Sequence, residues 1–119
     1  MKFSLPDRKN PDKKLYFLRT LKTEKDFKDR YDVEFNAQLG TILSIMMNVE
    51  KDTSAKNIEA MTDLKFVDTR NKLVEYLYAK KNDEGVLYQN RETVEEAAAK
   101  IENGEINCNQ VLVSLLKSI

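Results

Sequence analysis

The side chains best suited to chemistry in this sequence are carboxylates and one thiol. Glu92, Glu95 and Glu96 fall within about one helical turn, and Asp63 and Asp68 are spaced by slightly more than one. Paired carboxylates do acid–base work or hold a divalent ion only when they converge in a pocket. Here they lie opposite the apolar positions of their segments, which is the pattern of a solvated helix face. Cys108 falls in the first turn of an expected helix, where the dipole lowers a thiol pKa. With no histidine in the chain to pair with it, it reads as a packed thiol. The absence of histidine also removes the commonest general base at neutral pH and the commonest metal ligand. One cysteine cannot build a zinc set or an intrachain disulfide. The three glycines stand apart at 40, 85 and 104, so there is no Gly-rich phosphate loop, no Gly-x-Ser-x-Gly elbow and no Gly-centred calcium loop. No catalytic, cofactor or metal-binding residue is assigned, and the reading is a non-enzyme.

Two groups remain as binding candidates. Ile42, Leu43, Ile45, Met46 and Met47 make a segment apolar on more than one side, and methionine adapts to irregular surfaces. This segment is either central in the core or shared with a protein partner. The second group follows from charge. The chain has 20 basic and 20 acidic residues, but residues 1–30 hold ten of the basic and only five of the acidic ones. Lys9, Lys13, Lys14 and Arg19 are the candidate basic contacts. Acids interrupt them and no Arg-rich run forms, so nucleic acid is the runner-up partner, after protein. Phe27-Lys28-Asp29-Arg30-Tyr31 has the interleaving of a stacking platform, but its aromatics are at core spacing.

These residues must be carried by elements, and 119 residues suit one domain. Few Gly and Pro leave few tight turns, so composition leans away from an all-β fold. Residues 1–9 read as a flexible polar arm, and residues 10–119 as a single helical domain. Asn10-Pro11 offers a helix start, followed by Leu15, Leu18 and Leu21; a short strand through Leu15-Leu18 is the rival reading. Thr23 to Asp26 resembles a capping box. Phe27, Tyr31, Phe35, Leu39, Ile42, Leu43 and Met46 then predict one long helix over about 24–49, with Gly40 as a point where another helix could approach closely. A short helix through Ile58, Met61 and Leu64 follows, then a helix over about 64–81, ended by Asn82-Asp83-Glu84-Gly85. Val86-Leu87-Tyr88 is an apolar connector. A fifth helix spans about 91–103. The last is capped by Asn107 with Gln110 three residues on, stapled by Ile106 on Val111, and apolar through Leu112, Leu115, Leu116 and Ile119. The expected fold is all-α: a compact single-domain bundle of five to six helices with a polar N-terminal arm.

The C-terminal half resembles the helical tail assembly chaperones of long-tailed bacteriophages. The likeness lies in a helix ending in Tyr76-Leu77-Tyr78, a polar turn, Glu92-Thr93-Val94-Glu95-Glu96, and Glu102 through Asn107 leading into a short apolar helix. It implies a protein that coats a tape-measure protein and helps recruit tail-tube subunits, with no catalytic residue. The functional expectation is a protein-binding assembly factor, with a homo-oligomer as a further form. A nucleic-acid-binding regulator and a small inhibitor or immunity-type protein are the alternatives. The N-terminus has no apolar core for a signal peptide, and the longest apolar stretch, Leu39 to Val49, is too short to span a membrane. With one cysteine, the expected location is the cytoplasm (the host's, if viral).

Overall fold

Lys2 to Leu5 alternates polar and apolar residues, the period that lets one face of a strand be buried, while Lys14 to Leu18 is apolar or aromatic at four successive positions after its lysine. In the structure, a computed structural model that describes residues 1–117, they form strands β1 (Lys2–Pro6) and β2 (Lys14–Leu18). These pair antiparallel, with Phe3 opposite Phe17 and Leu5 opposite Leu15. Four helices follow: α1 (Leu21–Tyr31), α2 (Phe35–Lys51), α3 (Ala55–Thr62) and α4 (Leu64–Leu77). Strands β3 (Tyr78–Lys81) and β4 (Leu87–Tyr88) complete a four-stranded antiparallel sheet in the order β1-β2-β3-β4. Helices α5 (Arg91–Glu102) and α6 (Cys108–Lys117) end the described chain.

The all-α expectation is therefore overturned: six helices among the described residues join an antiparallel sheet, and the fold is mixed α/β. The expected polar arm supplies an edge strand, and the stretch expected as the first helix supplies β2 in its place. Asn10 does not cap a helix. Its N–H, like that of Lys9, donates to Asp7 Oδ1 inside the β1–β2 loop. That side-chain-built loop, with Gly85 at φ 79° in the β3–β4 turn, is why so few glycines suffice for a sheet. Strands of two to five residues hold too few alternations to declare themselves against helical spacing.

The long helix expected over 24–49 is two helices. Asp32 ends α1 in the left-handed conformation (φ 57°), with its N–H donating to the Lys28 carbonyl. The break has a packing reason. In a continuous helix Phe35 would lie about 12 Å along the axis from Phe27; here their rings meet edge-on at 5.3 Å. Phe27 also meets Tyr31 at 5.0 Å and Tyr76 at 5.5 Å, so α1, α2 and α4 share one aromatic cluster. The cap of α1 is Thr20, one turn before the expected Thr23; Thr23 is instead the third helical residue and returns the bond. Gly40 is exposed, and no element approaches it.

The core joins Leu15, Phe17 and Tyr78 of the sheet's inner face to Leu73, Leu77, Leu112 and Leu115 of the helices. Ile106 and Val111 are both buried, as the staple requires; Ile119 lies outside the described residues. One side chain ties several elements at once. The Gln89 amide donates to the carbonyls of Leu18 (2.8 Å), Tyr76 (2.9 Å) and Leu77 (3.0 Å), and its oxygen accepts from the Thr23 hydroxyl at 2.8 Å. Helix α5 is clamped to β3 through Glu96, which accepts from Tyr78 and, at 2.9 Å, from Lys80.

Two predictions follow from these ties. Gln89→Glu keeps the shape but points an acceptor at three carbonyl oxygens. It is expected to destabilise the protein by about 2–4 kcal/mol in urea unfolding at pH 7; a loss below about 0.5 kcal/mol would remove Gln89 from this role. For Glu96, partial burial works to raise the carboxyl pKa, but the hydrogen bonds from Tyr78 and Lys80 outweigh it and hold the pKa below the usual 4.5. Its contribution is complete above the unfolded value and is lost as pH falls through the lower folded one. Glu96→Gln should therefore flatten the fall in stability below about pH 4.5, measured by urea unfolding across that range.

Candidate functional site

Helix α2 sends Phe35, Leu39 and Ile42 into the core, and beyond Ile42 none of its side chains is fully buried. Leu43, Ile45 and Met46 are half-buried against the core, while Met47 is 43% exposed. The five predicted interface residues are thus graded from core to surface. Ile42 is a core residue, Ile45 faces a groove, and Met47 is open to solvent.

The groove lies between α2, α3 and α4 and has a volume of about 550 Å³. Ile42, Ile45, Ala60 and Phe66 give it apolar walls, and Lys56, Glu59, Asp63 and Lys65 bring both charge signs to its lining. Helix α3 buries no residue fully, and Ile58 on it is 48% exposed. It is held at its start by polar contacts. Asn57 Nδ2 donates to the Asp52 carbonyl at 2.8 Å, and the Ser54 N–H donates to Asp52 Oδ1 at 3.0 Å. Leu64, at the start of α4, is 85% exposed. The α2 C-terminus, α3 and the start of α4 therefore present apolar side chains that the chain itself does not cover.

The predicted basic contacts do not gather into one patch. Lys9 and Lys13 lie in the β1–β2 loop, and Lys14 opens β2. Arg19 turns inward. Its guanidinium lies 5.4 Å from the Phe35 ring centroid, 3.7 Å from Glu24, and donates to Asn36.

The carboxylates weighed for chemistry each have a local task or face solvent. Asp63 caps α4, accepting the N–H of Lys65 and Phe66; Asp68 pairs with Lys72 at 2.8 Å; Glu95 pairs with Arg91 at 3.3 Å; and Glu92 is exposed. Among the described residues no group of three or more His, Cys, Asp or Glu is placed to hold a metal ion. Cys108 is 4% exposed, and burial pushes its thiol up to about 11 although Arg70 pulls the other way.

A polar cleft of about 600 Å³, not legible in the sequence, lies between α1, α4 and the start of α5. Arg30, Tyr31, Glu75, Tyr76, Gln89 and Asn90 help line it. Burial, with Asp68 adding repulsion, raises the Glu75 carboxyl above its ordinary value. The lining ions Lys22 and Asp26, and Arg91 and Glu95, are paired within their own helices. No sequence signal could have found this cleft, since its walls come from three separated segments.

No protein-family model, curated protein or solved structure matches the chain. No helix among the described residues is long and apolar enough to cross a membrane.

The Cys108 environment makes a direct prediction. At pH 8 the native protein should react with a thiol-specific disulfide reagent at least about a hundredfold more slowly than the urea-unfolded chain, because both burial and a raised pKa suppress the thiolate. Comparable rates would show that the thiol is accessible.

Proposed function

We propose that this protein is a non-enzymatic assembly or adaptor factor that receives an apolar segment of a protein partner in the groove between α2, α3 and α4. The observation that carries this reading is that the groove is walled by Ile42, Ile45, Ala60 and Phe66 beneath a helix, α3, that buries nothing fully. Ile45 and Ala60 are the partly exposed part of these walls, over the buried Ile42 and Phe66. A groove between helices accepts the apolar stripe of a further helix, and a rim of mixed charge accepts that helix's polar flanks. In the form implied by the phage-chaperone resemblance, the partner segment belongs to a tape-measure protein, and tail genes would flank this one. Their absence would remove that form and leave the groove reading standing.

Immobilised protein offered an extract of its native host, followed by titration of the captured partner against wild type and Ile45→Glu, tests the groove. The substitution puts a carboxylate where an apolar side chain worth about 1.5–3 kcal/mol on burial should dock. An affinity loss of about tenfold or more, with an unchanged circular dichroism spectrum, is expected. Equal affinity of the two proteins would sink the reading.

A further inference from the structure

The sheet's outer face carries charge of one sign around an aromatic ring. On β1 and β2 this face holds Lys2, Ser4, Lys14, Tyr16 and Leu18, because their neighbours Phe3, Leu5, Leu15 and Phe17 point inward. Ala79 of β3 sits directly beside Tyr16. Ala79 is itself buried. The face holds a shallow groove of about 540 Å³, lined by Lys2, Tyr16, Leu18, Lys81 and Leu87 among others, with no carboxylate in its lining. The groove between α2, α3 and α4 and the polar cleft beside α1 both carry acids and bases. On the helices and the inner face, Lys22, Lys25, Lys72 and Lys80 each meet a carboxylate within 3.1 Å, whereas among the described residues Lys9, Lys13, Lys51, Lys56 and Lys65 stand outside any ion pair, as do the lysines of this face. Among the described residues Lys2, Lys14 and Lys81 have no ion-pair partner, and the Lys81 ammonium rests 4.5 Å from the Tyr16 ring centroid.

From this juxtaposition we infer that the outer sheet face binds single-stranded nucleic acid, with a base stacked on Tyr16 and the flanking phosphates held by Lys2 and Lys81. The chemistry the face asks for is a flat, weakly polar body with anions on either side. Lys2 is level with Leu18, and Lys81 lies two residues beyond Ala79, the partner of Tyr16, so the lysines stand on a diagonal on either side of the ring, about 10 Å apart across the strands and about 13 Å along them. A strand crossing the sheet would pass its sugar–phosphate backbone over one, lay a base on the ring, and meet the other. Stacking of this kind tolerates any base, since each offers a π-face. The Lys81 ammonium occupies the stacking position when nothing is bound, and its flexible stem lets it move aside to a phosphate. An acidic peptide would satisfy the lysines but would leave Tyr16, Leu18 and Leu87 without a flat apolar partner. A duplex hides its base faces and cannot use the ring. The site joins residues 2, 16 and 81, so the basic N-terminal segment supplies only part of it.

Fluorescence anisotropy with a labelled oligothymidylate of about ten nucleotides, at low and raised salt, tests the site on the whole protein. Expected are saturable binding at low salt, a loss of about tenfold or more in Tyr16→Ala, and near-wild-type binding in Tyr16→Phe, which keeps the ring. Lys2→Gln with Lys81→Gln should flatten the slope of log affinity against log salt by about 1.4, from two lost phosphate contacts at about 0.7 each. The lysine pair keeps the test decisive if Tyr16→Ala fails to fold. The inference is overturned by absent binding at low salt, by affinity indifferent to both the Tyr16 and the lysine substitutions, or by duplex of the same length binding equally well. Displacement of the oligonucleotide by equimolar thymidine monophosphate would assign the groove to a free nucleotide, and displacement by equimolar polyglutamate to an acidic peptide. Either result overturns the strand reading.

Discussion

The amide of Gln89 solves a problem that the chain creates at the end of α4. The helix passes into β3 with no residue between them, so there is no loop in which to cap its last carbonyls. Orphan carbonyls at a helix C-terminus need donors, and an unmet buried one costs about as much as a lost hydrogen bond. Gln89 supplies them to Tyr76 and Leu77, and the same amide reaches the Leu18 carbonyl at the end of β2. Because its oxygen is held by Thr23 in the first turn of α1, the amide cannot rotate without breaking a second contact. Four segments are fixed relative to one another by one polar side chain. The register of β3 on β2, and with it both faces of the sheet, rests on that arrangement.

Around this tie the molecule is unevenly consolidated. The sheet's inner face, the aromatic cluster of Phe27, Tyr31, Phe35 and Tyr76, and helices α5 and α6 share one continuous core. Helix α3 and the far end of α2 contribute partly covered side chains and no fully buried ones beyond Ile42. Regions with few buried apolar contacts open at lower free energy than the core. A groove walled by such a region can admit an occupant by moving α3 alone, without disturbing the Gln89 tie.

Much of the helical part was legible in the sequence. Asn107 caps α6 and accepts from the Gln110 N–H, α5 runs where its acidic first turn and Gly104 place it, and α3 and α4 begin near their expected starts. What failed did so for physical reasons. Phe27, Tyr31, Phe35 and Leu39 keep helical spacing through the break at Asp32, so periodicity could not reveal it; only the ring contacts between Phe27 and Phe35 require the turn. The strands were hidden by brevity, and β3 by its direct continuation of α4. The α2 segment of the candidate groove was visible as apolar residues 42–47, but not its division into core and wall. Tyr16 and Lys81 stand 65 residues apart in the sequence and become neighbours only through strand pairing. Lys9, Lys13, Lys14 and Arg19 looked alike as basic residues, yet Arg19 is taken up by Phe35, Glu24 and Asn36.

The pairing of β2 with β3 also sets a delay during synthesis. The hairpin of residues 2–18 emerges first, while its next strand begins at Tyr78. At roughly 5–20 residues per second, about 3–12 seconds separate the two. Throughout that interval β2 is an open edge with Leu15 and Phe17 facing no core, a template on which a neighbouring nascent chain could pair. Lys13 and Lys14 at its entrance are residue types that discourage such pairing. Lys14, on β2 itself, is the charge best placed to discourage that pairing until β3 arrives.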